Sequence, residues 1–216
     1  MYDKGFHSCA VIVAHPDDET LWAGGTILMD SRVDWTVITL CRASDPERAP
    51  RFYRAIEALG ARGAMGNLDD GPEQKPLPAE DVQQTVLTLL TERRFDLILT
   101  HGRRGEYTRH RRHEETARAV AGLISDGRLA AAHAWAFAYE DGRGRYLPQP
   151  IRKPNMLVAL PEAVWQRKYH IMTVVYGFAP DSFEARTTPR KEAFRQLQTE
   201  KRISKQRQHH ESTRAL

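Results

Sequence analysis

Short, uninterrupted apolar runs recur along this chain: CAVIVA at 9–14, WTVITLC at 35–41 and FDLILT at 95–100, with a weaker RGAMG at 62–66. Continuous rather than alternating hydrophobicity over six or seven residues predicts strands buried on both faces, as in a parallel sheet covered by helices. The segments between them have the length and period for those helices. One starts near Thr20, one runs through ERAPRFYRAIEALG, one lies around 79–93, and one spans His110 to Ile124 with Ala117, Val120 and Ile124 on a shared face. HAWAFAY (133–139) and MLVAL (156–160) read as further strands, and the Gly-, Pro- and Arg-rich stretch between them as a surface loop. The expected fold is α/β, a three-layer Rossmann-like sandwich with a mostly parallel sheet.

At 216 residues the chain has room for one sizeable core. We read one domain over residues 1–185 and a basic C-terminal helix or tail over 186–216, the last thirty residues having the pattern of an amphipathic helix fraying into a polar end. Hydrophobic residues at 41% and charged residues at 28% exclude a disordered chain. No apolar run approaches the roughly 20 residues of a membrane span, and MYDKGFHSCA has no signal-peptide core, so the expected location is cytoplasmic. Cys9 and Cys41 lack metal-site spacing and read as reduced core thiols. The net charge of +4 comes from 32 basic against 28 acidic residues, with the excess in GRRGEYTRHRR and the C-terminal stretch. That describes a solvated basic surface better than a nucleic-acid interface, because no zinc finger or aromatic RNA-binding signature accompanies it.

The first strand ends in HPDDE (15–19). In an open α/β sheet, ligands bind beyond the carboxyl ends of the strands, so this turn stands where a site is expected. Pro16 holds His15 extended, which lets His15 and Asp18 converge while Asp17 is directed elsewhere. Imidazole and carboxylate suit zinc, whose catalytic sites take three protein ligands and leave a place for water. A third ligand should come from another strand-to-helix loop at the same edge. THGRRGEYTRHRRHEETARAV (100–120) supplies His110 and His113, three apart at a helix start, so that one can bind metal while the other faces substrate. Against this stands the plain reading of HPDDE as a helix N-cap favouring the dipole.

AHPDDE (14–19) with GEYTRHRRHEE (105–115) resembles the PIG-L/LmbE-like family of zinc-dependent N-deacetylases, over residues 9 to about 125 and out to the strand near 160. The resemblance implies removal of acetyl from an N-acetylglucosamine-type amino sugar or glycoconjugate. It implies zinc on His15, Asp18 and His113, Asp17 as general base, and His110 as the group that steadies the oxyanion or protonates the amine; the same three donors also tolerate a ferrous ion. The family commonly carries Gly-His-Pro-Asp-His where this chain has TRHRRH, so Arg111 and Arg112 replace the proline and the aspartate. Arg48 or Arg51 and Asp69 or Asp70 lie on the same sheet edge as candidates for contacting the sugar or a charged aglycone, with solvated surface as the competing reading. Arg103, Arg104 and Arg109 would form a basic rim favouring an anionic aglycone. Trp22 reads as core before pocket wall, Glu19 as a backbone partner, and His101 as support for the site. The aromatic stretch 174–190 would cap either the pocket or a subunit interface, which leaves a homo-oligomer open. The competing functions are an amidase acting on a larger amide conjugate and a non-catalytic basic protein associated with nucleic acid.

Overall fold

The computed structural model describes residues 5–107 and 110–197. Strands β1 (Ser8–Val13), β2 (Asp34–Cys41), β3 (Arg62–Leu68), β4 (Arg94–Thr100) and β5 (Ala130–Phe137) alternate with helices α1 (Asp18–Leu28), α2 (Arg48–Leu59), α3 (Ala79–Leu89) and α4 (Arg111–Ser125). A hairpin of β6 (Tyr139–Glu140) and β7 (Gln149–Pro150) follows. The chain then runs through β8 (Met156–Ala159), α5 (Glu162–His170), a π-helical turn at Ile171–Val175, α6 (Phe183–Thr187) and β9 (Lys191–Gln196). Seven strands form one sheet in the order β3-β2-β1-β4-β5-β9-β8. The pairs among β1 to β5 are parallel, and β9 runs antiparallel between β5 and β8.

The period-2 alternation of each strand divides the core into two layers. Cys9, Val11 and Val13 of β1 meet Leu21, Trp22, Phe52 and Ile56 from α1 and α2. Ala10 and Ile12 of the same strand face the opposite way, onto Val82, Val86, Val120 and Leu123 from α3 and α4. This three-layer α/β arrangement is the one expected from the apolar runs. Among the described residues no helix is long and apolar enough to cross a membrane.

Residues 191–196 correct the helical pattern expected of the C-terminal stretch: they form a strand inside the sheet. Charged residues flank Ala193 and Phe194, which are fully buried, and Glu192 is buried too because Lys168 of α5 donates to it at 2.6 Å. The chain from 198 onward lies outside the described residues.

Sheet order reverses at β1, with β2 on one side and β4 on the other. The loops leaving β1 and β4 therefore diverge to opposite faces and leave a crevice between them, which is the topological switch point of such a sheet.

Candidate active site

The turn after β1 is held from within. The His15 N–H donates to Asp18 Oδ2 at 3.0 Å, and the Asp17 N–H donates to Glu19 Oε2 at 3.0 Å. Asp17 adopts φ 105° and ψ −31°, a conformation that disfavours a side chain. The turn thus directs Asp17 one way and sends His15 and Asp18 the other. Glu19, fully buried, also accepts from the Thr20 and Tyr176 hydroxyls, so it braces the turn away from the crevice.

Helix α4 starts beside this turn and brings His113 to it. His15 Nδ1 lies 3.2 Å from Asp18 Oδ2 and 3.3 Å from His113 Nε2, and His113 Nε2 lies 3.3 Å from Asp18 Oδ2. Four donors at about 2.0–2.1 Å around a tetrahedral ion stand about 3.3 Å apart, so this near-equilateral triangle has the dimensions of one face of a zinc site. His110 offers a further nitrogen within 4.8 Å of His15 and His113. Its Nδ1 is buried and has no hydrogen-bond partner among the described residues.

Each triangle member is oriented from behind. His15 Nε2 meets Asp70 Oδ1 at 3.1 Å, and His113 Nδ1 meets Glu106 Oε2 at 2.8 Å, the carboxylate–imidazole pairing that fixes tautomer and ring angle in metal sites. Asp70 is itself held by Arg42 at 2.9 Å and Gln74 at 2.9 Å. Trp22 Nε1 donates to Asp18 Oδ1 at 3.2 Å from a fully buried ring. His101 pairs with Glu106 Oε2 at 2.9 Å and accepts the Ala14 N–H at 2.9 Å. Burial opposes a charge on His101 while the Glu106 and Asp18 carboxylates favour one and shift it upward. Only the neutral ring can accept from Ala14, so the tautomer with Nδ1–H on Glu106 is the one the geometry permits.

The two adjacent aspartates are pushed apart. Burial raises Asp17 well above the usual carboxylate range, aided by the charge of Asp18 and partly opposed by Arg48. Burial acts on Asp18 too, but His113 and His101 outweigh it and hold Asp18 well below that range. Neighbouring carboxyls with opposed environments can divide the work, one as base and one as ligand. Burial, then the neighbouring His113 and His15, push His110 down to about 4, which leaves it uncharged near neutrality.

Of the residues that sequence placed near substrate, Arg48 donates to Asp17 Oδ2 at 2.9 Å and stacks over Phe178, 5.0 Å from its ring centre. Arg51 donates to the Tyr176 carbonyl at 2.7 Å. Asp69 and Asp70 follow β3 on the same side and, with Arg42 and Arg48, line an open cleft of about 730 Å³. A second cavity of about 1140 Å³ is lined by Arg103, Arg104, Arg143, Arg145 and Tyr107. Arg109 falls outside the described residues. The stretch 174–190 packs on the site: Tyr176 under Glu19, and Phe183 against Tyr107 at 5.1 Å between ring centres. Sequence reading did not find Glu106 or Arg42, and it considered Asp70 only for substrate. A carboxylate one loop away from a histidine becomes visible as its partner only when the topology joins them.

Residues 10–124 match the PIG-L family, described as GlcNAc-PI de-N-acetylase, a span that takes in both the HPDDE turn and His113. No protein among the curated sequences matches the chain. Among solved structures it is similar to N,N'-diacetylchitobiose deacetylase from Pyrococcus horikoshii, at 17% identity over 89% of this chain and 84% of that one, with a TM-score of 0.66. It is also similar to the 4-carboxy-2-hydroxymuconate hydratase GalB from Pseudomonas putida KT2440, at 15% identity over 84% and 82% of the two chains, with a TM-score of 0.59. A deacetylase of the teicoplanin biosynthesis pathway shares 13% identity over 79% of this chain and 84% of its own, with a TM-score of 0.57. At such identities these likenesses establish the shared fold.

Proposed function

The chain belongs to the PIG-L family of de-N-acetylases, and on that premise we propose that it is a metal-dependent hydrolase removing acetyl from an N-acetylglucosamine-type amino sugar or glycoconjugate. The triangle of His15 Nδ1, Asp18 Oδ2 and His113 Nε2, with sides of 3.2, 3.3 and 3.3 Å, carries this reading. Two imidazole nitrogens and a carboxylate oxygen crowded this closely suit zinc, with ferrous ion the alternative that the same donors accept. When bound, the metal supplies a Lewis acid that polarises the acetyl carbonyl and lowers the pKa of water towards about 7.

The remaining steps fall to side chains. Asp17, its carboxyl raised by burial, accepts the proton of water as the oxygen adds to the acetyl carbon. Arg48 holds the carboxylate in one orientation through the bond to Oδ2. His110, uncharged, offers its unpartnered Nδ1 face to the developing oxyanion or relays a proton to the leaving nitrogen. The C–N bond then breaks, the proton taken by Asp17 passes to nitrogen, and acetate and a free amine leave. The arginine-lined cavity beside Tyr107 favours an aglycone with a carboxylate or phosphate.

The decisive experiment pairs metal analysis with release of acetate and amine from N-acetylglucosamine and its inositol and malate conjugates, for wild type and Asp17→Asn. One metal per chain, equimolar products and their loss with chelator or in the variant are expected. Turnover of an unsaturated acid without amine release would show a hydratase on this fold instead, and absence of metal after reconstitution would overturn the site.

A further inference from the structure

Arg112 precedes His113 in α4, and its side chain is only 2% exposed. It does not meet the crevice. Its guanidinium crosses to the connection between β3 and α3, where Nε donates to the Asp69 carbonyl at 2.5 Å and Nη2 donates to the Lys75 carbonyl at 2.8 Å. The third arm binds Glu115, whose other carboxylate oxygen accepts the Leu77 N–H at 3.2 Å. The connection is thus gripped through its main chain at both ends. Between those grips lies Asp70, which backs His15 Nε2.

One side chain therefore joins the helix that presents His113 to the loop that orients His15. We propose that Arg112 is a positioning residue that sets the separation of these two imidazoles and, through it, the affinity for the metal; this rests on the reading given under Proposed function. The role demands arginine. Two carbonyls and the carboxylates of Glu115 and, at 3.5 Å, Asp69 are met by a rigid fork with five donors, whereas a lysine ammonium in the same space could reach one or two of them. A fully buried guanidinium is also costly unless every arm is satisfied, which ties the loop closed as tightly as the helix is folded.

The test is a comparison of zinc affinity, by competition with a chromophoric chelator, for wild type, Arg112→Met, Arg112→Lys, Asp70→Asn and Arg93→Met. Arg93 serves as the structural control. It also donates to main-chain carbonyls, those of Leu87 and Leu90 at the end of α3, but it touches nothing in the crevice. Loss of an orienting partner of a metal ligand typically weakens metal binding by about 10–100-fold. Arg112→Met and Asp70→Asn should both fall in that range, Arg112→Lys between them and wild type, and Arg93→Met at wild type even where its melting temperature drops as far. Activity of the Arg112 variants should return as zinc is raised. Wild-type affinity in folded Arg112→Lys and Asp70→Asn, or equal weakening in Arg93→Met, would overturn the proposal. A wild type that binds no zinc would overturn the metal reading itself, a result distinguishable from the first because it precedes any variant.

Discussion

The base role proposed for Asp17 and the stability of its turn point in opposite directions. Its backbone sits at φ 105°, where a side chain costs on the order of 1–3 kcal/mol, and its carboxyl is partly buried beside that of Asp18. The side chain makes no capping hydrogen bond to α1. Glycine fits that conformation freely. Asp17→Gly should therefore melt above wild type while losing about 10²–10⁴ in kcat, the range of a missing general base. A lower melting temperature would show that the turn is shaped by something other than this residue's role. The site was legible at this scale where chemistry is written into adjacent letters: HPDDE and the His110–His113 spacing declare their donors directly. Glu106, Arg42 and Arg112 were not legible in that way, because their roles come from loops that meet only after the sheet is ordered.

Among the elements, β9 shows what periodicity can miss. A run with Lys191, Glu192 and Arg195 around Ala193 and Phe194 has the charge of an exposed helix, yet it is the strand that joins β8 to β5. The strand is stable there because Glu192 is neutralised in the interior. Lys168 Nζ lies 2.6 Å away, and the Gly25 and Thr26 N–H groups and the Thr26 hydroxyl donate to the same carboxylate at 2.6 to 2.8 Å. One buried ion pair thereby fastens α1, α5 and β9 together. The first five strands were legible because their apolar runs are continuous, whereas an internal salt bridge writes a polar pattern into a core strand. Lys168→Met should cost about 3–5 kcal/mol in denaturant unfolding, the usual result of leaving one buried charge alone. The pH dependence has a definite sign. Burial lowers the folded-state pKa of Lys168 below 10.5, with Glu192 opposing it, so the unfolded chain binds more protons in that window. Wild type should then gain stability relative to Lys168→Met as pH rises towards 10.5, and a gap that narrows instead would show that the pair, rather than burial, controls the lysine.

At the scale of the whole molecule, arginines from two parts of the chain gather on one wall. Arg103 and Arg104 follow β4, and Arg143 and Arg145 belong to the β6–β7 hairpin loop, so two separate excursions of the chain contribute arginines to the lining of the same cavity of about 1140 Å³. Tyr107 lines that cavity, and its ring stands 5.5 Å from that of His113 and 6.2 Å from that of His110. Tyr107 thus stands between the arginine-lined cavity and the histidines. A concave basic surface of this kind raises the local concentration of anions and weakens with salt. Amides carrying a carboxylate or phosphate on the aglycone should show KM at least about tenfold below that of neutral N-acetylglucosamine, each tenfold step being about 1.4 kcal/mol. Arg103→Ala with Arg104→Ala should erase that preference, and 0.5 M salt, where the Debye length is about 4 Å, should blunt it, while kcat on the neutral amide stays unchanged. Equal KM values in wild type would assign the arginines to solvation. Chelator-insensitive binding of DNA or RNA that falls steeply with salt would assign them to a polyanion unrelated to the histidines.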